Sequence, residues 1–264
     1  NYTMTVNVTA VNDAPTASDN TVTTTEDNNH TFAASEFGFT DVDGDSLDHV
    51  TIATLPSTGT LYLSGVAVSA GDQISAANIS NLVFTPAANG NGSPYDTFTF
   101  SVNDGTTDSA SNYTMTVNVT AVNDAPTVVN DTDSVTEGGT VTETTNSAGT
   151  VISDDSDTDG DSLSVSGTVT QTSATDTSGS SITINSPNSA SVGSAVTGYY
   201  GQLTLNSNGT YSYVANQSNA DALDSGESAT DVFTFTVSDG TTTTSSTITF
   251  TVNGANDAPT ASDN

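Results

Sequence analysis

The sequence predicts an all-β protein, a tandem of Greek-key β-sandwiches, and three observations predict it. Apolar and polar residues alternate with period two along much of the chain. Turns rich in Asn, Asp and Gly separate these stretches at short intervals. The string from Tyr2 to Thr16 recurs unchanged from Tyr113 to Thr127, so a unit of ordinary domain size is duplicated.

The repeats divide the chain. Asn12–Asn20 reads NDAPTASDN and returns at Asn256–Asn264, with NDAPT between them at Asn123. These three junctions give one repeat over 13–123 and a longer one over 124–256. Residues 1–12 are expected to be the last strand of a preceding repeat, and 257–264 the start of the next. The chain lacks an initiating Met and reads as a window cut from a longer array. The extra length of the second repeat falls near 164–200, where Ser, Thr and Gly dominate, and reads as a hairpin or a long loop.

The elements follow in order. Leu61 and Leu63 mark one strand of the first repeat. Phe98, Phe100 and Val102 alternate with Thr and Ser, as do Tyr113, Met115, Val117 and Val119 with Thr and Asn. One apolar face with Thr on the other is the pattern of a strand packed on a core, and branching at Cβ favours the extended backbone. In the second repeat, Leu203/Leu205 and Tyr211/Tyr213 flank the turn Asn206–Gly209, a hairpin signal. Phe233, Phe235 and Val237, then Ile248, Phe250 and Val252, repeat the closing pattern of the first. Helical signal is confined to single turns at Ser75–Leu82 and Ser218–Leu223.

Charge excludes whole classes of function. The 264 residues include 31 Asp and Glu and no Lys or Arg, a formal net charge of -31. Nothing here can clamp phosphate, so nucleic-acid binding is excluded, and an anionic membrane surface would repel the chain. There is no Lys for a Schiff base, and no Cys for a nucleophile, a disulfide or a thiolate zinc site. His30 and His49 are unmatched between the repeats and read as surface residues; no Ser-His-Asp set is implied. The chain is expected not to be an enzyme. No apolar run approaches the roughly 20 residues of a membrane helix.

The carboxylates carry the chemistry. Asp41, Asp43 and Asp45 form D-x-D-G-D, and Asp157, Asp159 and Asp161 form it again. Like charges this close repel unless neutralised, and the chain has no base to do it. A hard cation with oxygen ligands is the natural partner, and Ca²⁺ suits a flexible, carboxylate-rich loop. Asp-Gly is also ordinary turn chemistry; two aligned triads in a chain without bases favour the ion. In a sandwich with its termini at opposite poles, Asp13, the first triad and Asp104 share one end. In the second repeat the set is Asp124, the second triad and Asp239. Glu26 is expected to approach the Asp124 junction from upstream, and Glu137 the Asp257 junction, with Pro15, Pro126 and Pro259 stiffening the linkers. Tyr199 and Tyr200 read as core or rim, and Asp221, Asp224 and Glu227 as a capped turn with a weaker claim to an ion.

The V-N-D-A-P junction, the D-x-D-G-D-S-L motif and the closing F-T-F-x-V-x-D-G strand resemble bacterial cadherin-like repeats. Gly201–Tyr213 and Leu223–Gly240 make the second repeat similar to the VCBS type. Such repeats occur in giant RTX adhesins exported by type I secretion, and the resemblance covers nearly the whole chain. It implies tandem Ig-like/cadherin-like sandwiches that bind Ca²⁺ at domain ends. It also implies a monomeric structural extender at the surface of a Gram-negative bacterium, holding out a distal tip for adhesion and biofilm formation. Its partners are then neighbouring repeats of the same chain, with any glycan or cell-surface ligand elsewhere in the full protein. The alternative is that the repeats themselves bind glycan or a protein partner, which an exposed aromatic groove in the 164–200 insertion would favour.

Overall fold

The computed structural model describes residues 2–144 and 149–257. The chain forms two compact units that divide at Val122/Asn123. Among the described residues both are all-β, with only two short 3₁₀ turns, Ala34–Phe37 and Ala76–Asn81.

The strands of the first unit are β1 (Asn20–Thr25), β2 (His30–Thr31), β3 (His49–Thr54), β4 (Thr60–Leu63), β5 (Val66–Ala67), β6 (Gln73–Ser75), β7 (Leu82–Thr85), β8 (Gly92–Asn103) and β9 (Tyr113–Thr120). One sheet runs β1-β9-β8-β3-β6 and faces a second, β2-β7-β4-β5. Every pairing is antiparallel except β1 with β9, which run parallel from Asn20/Met115 to Thr25/Thr120. Inward residues of both sheets form one core in which Phe32, Phe84, Phe98 and Phe100 are buried. Phe98 meets Phe32 edge-on at 5.6 Å, and Phe37 meets Phe100 at 4.9 Å. Each such ring contributes about 2–3 kcal/mol by leaving water.

The strands of the second unit are β10 (Asp131–Thr136), β11 (Thr140–Glu143), β12 (Ser164–Thr175), β13 (Ser181–Ile182), β14 (Ser189–Ser191), β15 (Ala195–Thr197), β16 (Gln202–Leu205), β17 (Tyr211–Val214), β18 (Ser228–Ser238) and β19 (Thr243–Asn253). They repeat the plan: β10-β19-β18-β12-β13 faces β11-β17-β16-β15, again with a parallel first and last strand. Tyr213 stacks on Phe250 at 4.1 Å in the middle of the core. The hairpin at Asn206–Gly209 forms as its sequence requires, with Gly209 at φ +80° and Asn206 N–H donating to Thr210 at 2.8 Å. The insertion is a doubled-back edge: β12 is twice the length of β3, and both β13 and β14 return to pair with it.

Residues 2–12, expected to be the last strand of a preceding repeat, have no strand partner among the described residues, and Met4 and Val8 are 88% and 90% exposed. A strand needs ladder partners that its own sequence cannot supply. Ser218–Leu223 makes hydrogen-bonded turns and no helix, because a segment this short cannot offset helix nucleation. Most of 257–264, with Pro259, lies outside the described residues.

A buried carboxylate ties the two sheets of each unit together. Asp231 on β18 is fully buried and accepts five hydrogen bonds. The donors are the Tyr213 hydroxyl at 2.7 Å, the N–H groups of Tyr199, Tyr200 and Gly201 at 2.9, 2.9 and 3.1 Å, and the Gln171 amide at 3.0 Å. Burial pushes its carboxyl up, against the pull of those donors. Asp96 on β8 does the same work in the first unit, accepting from Thr58 N–H at 2.6 Å, Gly59 N–H at 3.1 Å and Thr97 N–H at 2.8 Å. Burial alone would raise Asp96, but these backbone donors together outweigh it and hold the carboxyl below its usual range.

Candidate metal centre

Each unit opens with the same constellation. Asp41 accepts the N–H groups of Asp43 and Asp45 on Oδ1, at 2.8 and 3.1 Å. Asp157 accepts those of Asp159 and Asp161 at 2.9 and 3.3 Å. The first Asp therefore turns its own loop, and Gly44 and Gly160, at φ +84° and +80°, let the backbone reverse. In each triad one carboxylate oxygen from every member lies within 4.8 Å of the others. Asp41 and Asp157 are half-buried, and the remaining four are exposed.

The junction residues join through their backbone. Asp13 N–H donates to Asp43 Oδ2 at 2.7 Å, and Asp124 N–H to Asp159 Oδ2 at the same distance. Ala10, Val11, Asn12, Asp43 and Asp45 line a shallow pocket of about 270 Å³. Pro15 and Pro126 are buried just beyond. Asp257 is exposed, at the end of the described chain.

Asp104 and Asp239 sit at the same ends but bracket the junction rather than join the triads. Asp104 accepts Asn12 Nδ2 at 3.0 Å, with Thr106 and Thr107 N–H both at 2.7 Å. Asp239 accepts the Thr242 hydroxyl at 2.6 Å and Asn123 Nδ2 at 2.9 Å. The Asn12 and Thr107 bonds hold Asp104 below the usual carboxylate range, and the Thr242 and Asn123 bonds hold Asp239 well below it. Asn12 and Asn123 were missed as site residues, although their recurrence before each junction Asp was visible in the sequence.

The two glutamates lie where the chain leaves each unit. Glu26, fully buried, accepts the N–H of Val122 and the Asn91 amide, the latter at 3.1 Å. Glu137 accepts Ala255 N–H at 2.9 Å on one oxygen. His30 and His49, expected at the surface, are largely covered, with side chains 17% and 14% exposed. His30 reaches Glu36 at 3.2 Å and His49 reaches Asp48 at 2.8 Å, so each packs its ring and keeps a carboxylate partner. Asp224 and Glu227 close a turn on each other, as expected of a capped turn.

The donor sets fit a hard cation. Every side-chain donor is oxygen, and no cationic side chain competes. Among the described residues, Asp41 Oδ2, Asp157 Oδ2 and Glu137 Oε2 are buried without a hydrogen-bond partner. A buried carboxylate oxygen left so is costly, and a cation is what would satisfy it.

A separate acidic group on the second unit titrates in a useful range. Burial, with Asp154 and Asp155 nearby, pushes Asp131 up to about 7. Folded Asp131 then holds its proton where the unfolded chain has lost it, so stability falls as pH rises from about 4 to 7. We expect Asp131→Asn to flatten that slope in chelator and to stabilise the unit by about 1 kcal/mol at pH 8, after allowing for solvent screening. Thermal unfolding across pH 4–8 measures it; an unchanged slope refutes it.

Fold and sequence pattern together define a tandem of Ig-like and cadherin-like β-sandwiches. The chain belongs to the bacterial cadherin-like domain family, whose pattern it matches over residues 123–254; residues 12–120 match the bacterial Ig domain. Among solved structures it is similar to human protocadherin-24 EC1-2, at 15% identity over 95% of this chain and 100% of that one (TM-score 0.43). It is also similar to Drosophila N-cadherin EC1-4, at 12% identity over 93% and 50% (TM-score 0.38). A third is the endo-fucoidan hydrolase MfFcnA4 of glycoside hydrolase family 107, at 17% identity over 91% of this chain (TM-score 0.29); the chain spans only 29% of that hydrolase. No curated protein matches it. No helix among the described residues is long and apolar enough to cross a membrane.

Proposed function

We propose that this chain is a calcium-stabilised structural extender within a large bacterial surface adhesin of the RTX, type I secreted kind, its second repeat of the VCBS type. In this reading it lies outside the cell and serves adhesion and biofilm formation by holding a distal tip away from the surface. The observation that carries the proposal is the pair of Asp triads with converging oxygens, each holding a buried, unpartnered carboxylate oxygen, in a chain without a base. Asp41, Asp43 and Asp45 hold one ion and Asp157, Asp159 and Asp161 another. Participation of Asp13, Asp124, Asp104, Asp239, Glu26, Glu137 and Asp257 is part of the proposal and rests on their place in the sequence. Calcium supplies neutralising charge. The chain's own residues turn the loops, converge the oxygens and fasten each junction through Asp13 and Asp124 N–H. In low calcium the net charge of -31 loosens the chain for export; outside, binding energy becomes folding energy.

The test is calcium titration into metal-free protein, following thermal unfolding and small-angle scattering together. An ion present at a hundred times its Kd stabilises the folded unit by about 2.7 kcal/mol, a rise of roughly 10 °C. We expect that rise, with Mg²⁺ far weaker, and its loss in the Asp43→Ala/Asp159→Ala double variant. Stability indifferent to calcium would sink the proposal and leave the triads as solvated turns.

A further inference from the structure

We propose that the groove built by the insertion of the second unit is a binding site for a neutral carbohydrate chain, a function beyond that of an extender. The groove holds about 300 Å³, between the segment after β13, the turn after β15 and the turn after β17. Its lining residues include Asn185, Asn188, Gln217 and Asn219, with the buried Gln171 and with Tyr199. In a chain with 31 acidic residues, no Asp or Glu lines it. By contrast, Asp131 and Asp154 line the hollow beside β10, and Asp43 and Asp45 the one at the first triad.

The lining selects the chemistry. Without acid it has no hold on a metal or a cationic peptide, and without base none on a phosphate or sulfate. Apolar surface is limited to Ile184 and the tyrosine, too little for a lipid or an apolar helix. What remains is a row of amides, each both donor and acceptor, beside a tyrosine. Vicinal hydroxyls donate and accept in the same way, and the C–H face of a sugar ring lies against an aromatic ring.

The groove is also held in place. Asp231 fixes Tyr199 N–H at 2.9 Å and the Gln171 amide at 3.0 Å. A Cβ at Gly198 would fall 2.6 Å from the Asp231 carboxylate, so only glycine lets that turn approach it. Asn219 Nδ2 donates to Tyr199 C=O at 3.0 Å, and Asn188 Nδ2 to Thr197 C=O at 2.8 Å. Tyr200 meets the Tyr199 ring edge-on at 5.0 Å and anchors its own hydroxyl on Thr175 C=O at 3.0 Å. A ligand therefore meets amides and a ring already oriented, which lowers the ordering cost of binding. In the first unit, without the insertion, the hollow next to the residues that bond its own Asp96 tie is smaller and lined by Leu55, Pro56, Gly59, Leu61 and Val68 rather than by amides. The sandwich thus folds without such a groove, and the amides are an addition to it.

The experiment is affinity electrophoresis of the whole chain in native gels cast with dextran, galactomannan, xyloglucan or mixed-linkage β-glucan, with alginate as the anionic polymer. We expect at least one neutral polymer to retard the chain and alginate not to. Tyr199→Ala, and independently the surface pair Asn185→Ala/Gln217→Ala, should weaken retardation roughly tenfold, the worth of about one good hydrogen bond. The surface pair should keep the parent's melting temperature and calcium response, so failure here is distinguishable from failure of the extender reading. The proposal is overturned if no neutral polymer retards the chain, if only alginate does, or if retardation survives in the surface pair.

Discussion

Asp231→Ala is expected to melt the second unit well below the first, turning one calorimetric profile into two separated transitions. The carboxylate, at a residue 0% exposed, takes five donors from β12, β17 and the turn after β15. Its removal strands the Tyr213 hydroxyl and the buried N–H groups of Tyr200 and Gly201 at once. Each abandoned buried donor costs about 1–3 kcal/mol, and partial relaxation brings the whole to roughly 3–5 kcal/mol, a large fraction of the stability of a domain this size. Asp231→Asn keeps the shape but turns an N–H₂ towards some of the donors, so we expect an intermediate loss. Asp96→Ala should transfer the effect to the first unit. Differential scanning calorimetry in saturating calcium reads all three; a variant that melts like the parent would show that the tie carries no stability.

Asp157→Asn and Asp41→Asn are expected to change stability with opposite sign in chelator and in calcium. Without metal, each substitution removes one of three crowded negative charges yet keeps an Oδ1 to accept the two loop N–H groups. Relief of like-charge repulsion then stabilises the variant by up to about 1 kcal/mol. In excess calcium the same variant lacks a ligand charge and forfeits much of the roughly 2.7 kcal/mol of linked binding energy. Melting curves of parent and variant in chelator and in calcium settle it. A shift of the same sign in both media would mean that the loop is held by its turn geometry and not by an ion.

Much of this was legible in the residues. Period-two alternation located the main strands, since one wet and one dry face leave that imprint on any sequence. The triads were legible too, because D-x-D-G-D without a neutralising base is an electrostatic problem before any coordinates exist. Less legible were Asp96 and Asp231, which stand beside the aligned Phe strands and look like two more surface carboxylates. Nothing local marks a side chain for burial when its donors come from distant loops.

One string shows where sequence stops. The residues from Tyr2 to Thr16 and from Tyr113 to Thr127 are identical, so they share every local propensity. Yet Met115, Val117 and Val119 are buried in β9, between β1 and β8, while Met4, Val6 and Val8 are 88%, 73% and 90% exposed and form no strand. By itself the sequence determined which residues could face a core, where the chain must turn, and which carboxylates crowd together in its loops. Tertiary structure alone decided that the first and last strands of a unit run parallel and that the insertion folds back on β12. The reason is physical: ladder hydrogen bonds and burial are supplied by partners far away in the chain.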